Sequence, residues 1–242
     1  MKRNRFMVFR SFEKLIAALK TKASKGGYVR GSSTRTCFST DRKNLKRIMV
    51  FGDSNSFRPG GNKTCWPALL KDKDPSRFTI FNESCDGRTI KHDIGEFNGL
   101  NVIASKLTVH APLDYVIVML GTNDVKSKYG PPNAAEIAYG VRLILDVINT
   151  QGGGAKVIFV LPPPLGNVTF GELAGAQRRI PPVVAEYRLL ATDCDVPLVD
   201  VNAIVDSNTD LESDKVHLNP AGRQKVADAI WASLQCLAEP FR

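Results

Sequence analysis

The sequence predicts a three-layer α/β/α domain built around a parallel sheet. From Arg47 onward, short apolar runs of β type alternate with longer segments of helical periodicity, the pattern of repeated βαβ units. Runs such as Val116 to Leu120 and Val157 to Leu161 have the length of buried strands. None approaches the ~18 residues of a membrane span. Four turn-like motifs each fall just after an expected strand or just before an expected helix, so the fold can gather them at one sheet edge.

In chain order, strands are expected at Arg47 to Phe51, Phe78 to Asn82, Tyr115 to Leu120, Lys156 to Leu161 and Pro197 to Val201. Between them, helices are expected at Cys65 to Lys71, Leu100 to His110, Ala134 to Thr150, Pro182 to Asp193 and Pro220 to Leu237. Gly152-Gly153-Gly154 stops the third helix and turns the chain into the fourth strand. The last helix opens with Asn219 as its cap and Pro220 at its first position, a favourable pairing.

The 242 residues suffice for one sizeable domain plus an extension, and 43% hydrophobic with 24% charged residues is a composition that can bury a core. The net charge of +9 is unevenly spread. Residues 1–47 hold 14 lysines and arginines against two acids, Glu13 and Asp41, while the remainder holds 19 basic and 22 acidic residues. The basicity therefore belongs to the extension, and the globular part is not built to track phosphate backbones.

Residues 1–45 are expected to form a basic leader, with the α/β domain occupying 46–242. Phe9, Phe12, Ile16 and Leu19 can share one face of a short helix there. That composition fits an organelle-targeting segment, a basic membrane-surface segment or a disordered leader. The expected compartment is the cytoplasm, with organelle targeting by the leader as the alternative.

Five scattered cysteines (Cys37, Cys65, Cys85, Cys194 and Cys236) show neither Cys-x-x-Cys spacing nor the density of a disulfide scaffold. The three histidines (His92, His110 and His217) are not spaced as metal ligands, so no metal and no cofactor is expected.

Ester hydrolysis needs a nucleophile, a base for its proton, a group that orients the base, and donors for the oxyanion. Gly52-Asp53-Ser54-Asn55 follows the first strand and offers Ser54 as nucleophile. In Asp214-Lys215-Val216-His217, the imidazole suits proton transfer near neutral pH, and Asp214 can turn back to hold its tautomer. The alternative reading of that segment is an N-terminal cap for the last helix. Oxyanion donors are expected from the Ser54 and Gly87 backbone N–H groups and the Asn123 side chain. Asp53 and Asp124 are read as supports for their turns. Phe57, Trp66 and Leu218 are either pocket walls or core.

These residues resemble the SGNH, or GDSL-type, hydrolase family, whose four defining positions match Ser54, Gly87, Asn123 and His217. The likeness runs from about Arg47 to the C-terminus. It implies a flavodoxin-like α/β/α fold, a metal-independent acyl-serine mechanism and a small-molecule ester as the partner. A homo-oligomer is compatible with it. Pro112-Leu113-Asp114, leading into Gly121-Thr122-Asn123-Asp124, and Pro162-Pro163-Pro164-Leu165 look like the bacterial arylesterase/acyltransferase branch. Asn55 stands where the family name has leucine, and Phe57 to Trp66 is short beside that branch.

The leading expectation is thus an esterase for small or short-acyl esters, with acyl transfer to alcohols open to it. The nearest rival is a carbohydrate O-acetylesterase of the same mechanism, which Asn55 and the polar Arg58 to Thr64 loop would suit. Failure on both substrates would point to a lysophospholipid or thioester. In a different class, the leader could serve nucleic-acid or membrane-surface binding beside a vestigial hydrolase domain. The complete set of catalytic residue types speaks against decay.

Overall fold

The computed structural model describes residues 45–57 and 65–237. The leader and the Arg58 to Thr64 loop, with the expectations placed on them, lie outside the described residues. Five parallel strands run β1 (Lys46–Gly52), β2 (Phe78–Asn82), β3 (Tyr115–Met119), β4 (Lys156–Val160) and β5 (Leu198–Val199), in the spatial order β2-β1-β3-β4-β5. This is the flavodoxin-like order, which reverses between β1 and β3 and opens a crevice at the carboxyl ends of those strands.

Both faces of the sheet are covered, as its apolar strands require. Along β1, Met49 and Phe51 pack on one side with α2 (Gly99–His110), α3 (Ala134–Gln151) and α4 (Ile180–Asp193). Ile48 and Val50 pack on the other side with α1 (Trp66–Lys73) and α6 (Pro220–Leu237). That alternation is the period of two along a strand. All four residues are fully buried, and burying a side chain of this kind contributes roughly 1.5–3 kcal/mol.

The helix ends follow the expected chemistry. Asn98 and Asn133 cap α2 and α3 by accepting from the N–H groups of Asn101 and Glu136. The Asn219 side chain accepts from Gly222 N–H at 3.0 Å, so Asn219 rather than Asp214 caps α6. The fifth strand is shorter than expected. Asp200 accepts from Ala203 N–H and starts α5 (Val201–Ile204), which ends β5 at Val199. Among the described residues, no helix is long and apolar enough to cross a membrane.

Candidate active site

The site begins where β1 ends. A Cβ on Gly52 would lie 2.5 Å from Ser56 Oγ and 3.1 Å from the Met119 carbonyl, so only glycine lets the turn fold this tightly. Beyond it, the Asp53 carbonyl accepts from Ser56 N–H (3.0 Å) and Phe57 N–H (2.9 Å), and Asp53 Oδ1 accepts from Asn55 N–H (2.9 Å). The Trp66 indole N–H donates to Ser56 Oγ at 3.2 Å, and Asn82 Nδ2 donates to the Ser56 carbonyl at 2.9 Å. Ser54 sits at the apex of a turn tied on several sides.

The loop before α6 brings His217 to that apex. The Ser54 hydroxyl lies 2.9 Å from His217 Nε2, and His217 Nδ1 lies 2.6 Å from Asp214 Oδ2. With the proton on Nδ1 donated to the carboxylate, Nε2 is free to accept from the serine. Asp214 Oδ1 accepts from Val216 N–H (2.9 Å) and His217 N–H (3.0 Å), folding the loop around the carboxylate. Burial raises the Asp214 carboxyl. The bonds from the ring and the two amides outweigh that, so it sits below the usual carboxylate range and stays ionised.

Gly87 and Asn123 are joined through Arg88, the residue that follows Gly87 in the chain. Asn123 is buried, and its Nδ2 donates to the Arg88 carbonyl at 3.1 Å. Gly87 has φ +74°, a left-handed conformation suited to glycine. Arg88, only 1% exposed, is a residue the sequence reading missed. Its guanidinium donates to the carbonyls of Gly52 (3.3 Å), Glu83 (2.5 Å) and Glu96 (2.9 Å), and lies 4.4 Å over the Phe51 ring. It thereby links the end of β1 to the Gly87 loop. The signal available in the sequence is an arginine directly after Gly87, in the loop that follows the apolar run of β2.

Ser54, Asp214 and His217 open onto a cavity of about 250 Å³. Phe57 and Leu218 line it, as does Cys65, while Asp86, Glu212, Ser213 and Arg223 make most of the remaining wall polar. Trp66 belongs to the core instead. It is fully buried against the β1 face, with its indole N–H turned to Ser56. The other two histidines lie apart from the site. His92 stacks on Tyr129, and His110 stacks on Phe81 and pairs with Glu83 at 2.5 Å. Among the described residues, no group of three His, Cys, Asp or Glu side chains is placed to hold a metal ion.

Two acids lie buried behind the site. Burial pushes the Asp53 carboxyl up to about 6 and the Asp124 carboxyl up to about 7, from 3.8. Bonds from Asn55 N–H and Ile90 N–H offset part of that cost. Both carboxyls bind protons more tightly in the folded than in the unfolded chain. Their contribution to stability is therefore full below pH 3.8 and is lost as pH rises through about 6 to 7. Asp124→Asn removes one of these two titrating carboxyls. It is expected to flatten the stability profile between about pH 4 and pH 8, by roughly 4 kcal/mol at most. Urea unfolding at several pH values checks this, and identical profiles for variant and wild type would refute it.

Comparison with known proteins gives this geometry a context. The model of the GDSL-like Lipase/Acylhydrolase family matches residues 50–225. The chain belongs to this family. It is accordingly a hydrolase of the SGNH type. It is 26% identical over 194 residues to the Escherichia coli (strain K12) protein named Thioesterase 1/protease 1/lysophospholipase L1, covering 78% of this chain and 84% of that one. Among solved structures, the M. smegmatis aryl esterase superposes with a TM-score of 0.71 at 26% identity, over 80% of this chain and 100% of that one. A carbohydrate acetylesterase from Sinorhizobium meliloti gives a TM-score of 0.72 at 25% identity, over 79% and 99%. This GDSL-like hydrolase thus resembles proteins named for several acyl substrates.

Proposed function

We propose that this protein is a serine carboxylic-ester hydrolase for short-acyl esters, working through an acyl-serine intermediate, within a domain spanning 46–242. One observation carries the reading: the run from Ser54 Oγ through the His217 ring to Asp214, at 2.9 and 2.6 Å, lies beside a small cavity. His217 Nε2 takes the hydroxyl proton as Ser54 Oγ attacks the ester carbonyl carbon. The tetrahedral oxyanion accepts from Ser54 N–H, Gly87 N–H and Asn123 Nδ2. A side-chain amide has two N–H bonds, and the one given to the Arg88 carbonyl fixes its plane while leaving the other for substrate. His217 then returns the proton to the leaving alcohol oxygen. Water repeats the path on the acyl-enzyme and restores Ser54. The His217 side chain is 41% exposed, so an alcohol can replace water and receive the acyl group.

The size of the cavity supports a short-acyl preference. At about 250 Å³ it lies below the ~300–1,000 Å³ typical of sites for drug-sized ligands, which favours acetyl-sized groups over long chains. Its polar wall of Asp86, Glu212, Ser213 and Arg223 supports a second reading, an acetylated carbohydrate as the natural ester. The likeness to the S. meliloti carbohydrate acetylesterase agrees with that reading, and likeness to the M. smegmatis aryl esterase with simple aryl esters. The test measures kcat/KM on p-nitrophenyl acetate, butyrate and octanoate beside acetate release from acetylated sugars. The reading expects a steep fall from acetate to octanoate. A preference for octanoate would overturn it, and faster release from the sugars would select the second reading.

A further inference from the structure

We infer that Asn55 is a positioning residue for His217, fastening the histidine loop to the nucleophile turn from both sides of the ring. The inference rests on the proposed roles of Ser54 and His217. Asn55 Oδ1 accepts from Leu218 N–H at 3.0 Å, and Asn55 Nδ2 donates to the Val216 carbonyl at 3.5 Å. Those two residues flank His217 in the chain. The residue is 5% exposed, and both bonds form away from solvent. Facing one N–H and one C=O, the carboxamide can sit only one way round, and it stands in for a peptide group between two strands.

The other bonds of the loop do a different task. Asp214 Oδ1 gathers the Val216 and His217 amides, Glu212 N–H donates to the His217 carbonyl (2.7 Å), and Lys215 N–H donates to the Glu212 carbonyl (3.0 Å). These set the loop's internal shape. Gly166 N–H, donating to the Lys215 carbonyl at 2.9 Å, anchors it to the segment after β4. Asn55 connects it to the turn that carries Ser54, and that turn is rigid because Asn55 N–H is itself held by Asp53 Oδ1. The separation of Ser54 Oγ and His217 Nε2 is thus governed by a side chain one residue from the nucleophile. A leucine at this position fills similar space but leaves a buried N–H and a buried C=O without partners. Asn55 also lines the cavity, and the two bonds give its carboxamide a structural task independent of which ester is bound.

A double-mutant cycle tests this with Asn55→Leu, His217→Ala and the double variant, measured as kcat on p-nitrophenyl acetate per mole of folded protein. Misplacing a catalytic group by about 1 Å can cost on the order of 10²-fold. Asn55→Leu is therefore expected to lower kcat about 30- to 100-fold with KM changed by less than about threefold. Because the effect acts through the ring, the double variant is expected to be no slower than His217→Ala. The low-field proton NMR signal of the His217 Nδ1–H is expected to shift in Asn55→Leu. Asn55→Ala, which adds no bulk, repeats the cycle should the leucine variant fold poorly. Additive losses, or a loss confined to sugar substrates, would overturn the inference, as would a full-rate Asn55→Leu beside a slow His217→Ala. Wild-type turnover by His217→Ala would instead defeat the parent reading, and this inference with it.

Discussion

Ser54→Ala is expected to lower turnover of p-nitrophenyl acetate by about 10⁴-fold or more while leaving the fold intact, the scale on which serine hydrolases lose activity with their nucleophile. The hydroxyl bonds the His217 ring at 2.9 Å and faces a cavity, so its removal opens no hole in the core. Substitutions away from packed groups usually shift stability by less than about 0.5 kcal/mol. The turn itself keeps its hold, because Asp53, Ser56 and Asn82 brace it through bonds that do not involve the serine side chain. Thermal melting and steady-state kinetics on the same preparation separate loss of chemistry from loss of fold.

His217→Ala is expected to cost a comparable factor, about 10⁴-fold, because in the proposed mechanism nucleophile and base act as one unit. The combined Ser54→Ala and His217→Ala variant is then no slower than Ser54→Ala alone. Independent contributions would multiply instead, to about 10⁸-fold, and the cycle distinguishes the two outcomes. What survives in each variant is rate enhancement from binding and oxyanion donors. Loss of one such donor typically costs a smaller ~10²–10³-fold, which places Asn123→Ala between the triad variants and wild type.

The sheet was legible because buried parallel strands leave unbroken apolar runs, and Val116 to Leu120 or Val157 to Leu161 admit few other readings. Their loops were legible for a related reason. Gly52-Asp53-Ser54-Asn55 and Gly121-Thr122-Asn123-Asp124 are runs of small or polar residues directly after apolar ones. The last helix began at the cap expected for it, Asn219. Interactions made by long reach were not legible. Arg88 reads as one arginine among many, and only the fold shows it bonding the carbonyls of Gly52, Glu83 and Glu96.

Asn55 was visible as a departure from leucine, yet its partners Val216 and Leu218 lie some 160 residues away. Trp66 illustrates the same limit from the other side. Its size suited a pocket wall, but its position at the start of α1 turns it onto Ile48 and Val50. The two-residue β5 shows local chemistry prevailing over an apolar pattern, since the Asp200 cap begins a helix within the expected strand.

The central claim is that Ser54 is the nucleophile, activated by His217. Labelling the full chain with a fluorophosphonate, followed by peptide mapping, tests it directly. The account predicts one adduct per chain, on Ser54, formed in parallel with loss of esterase activity and strongly slowed in His217→Ala. An adduct on any other residue, or full esterase activity in protein that takes up no label, would contradict it.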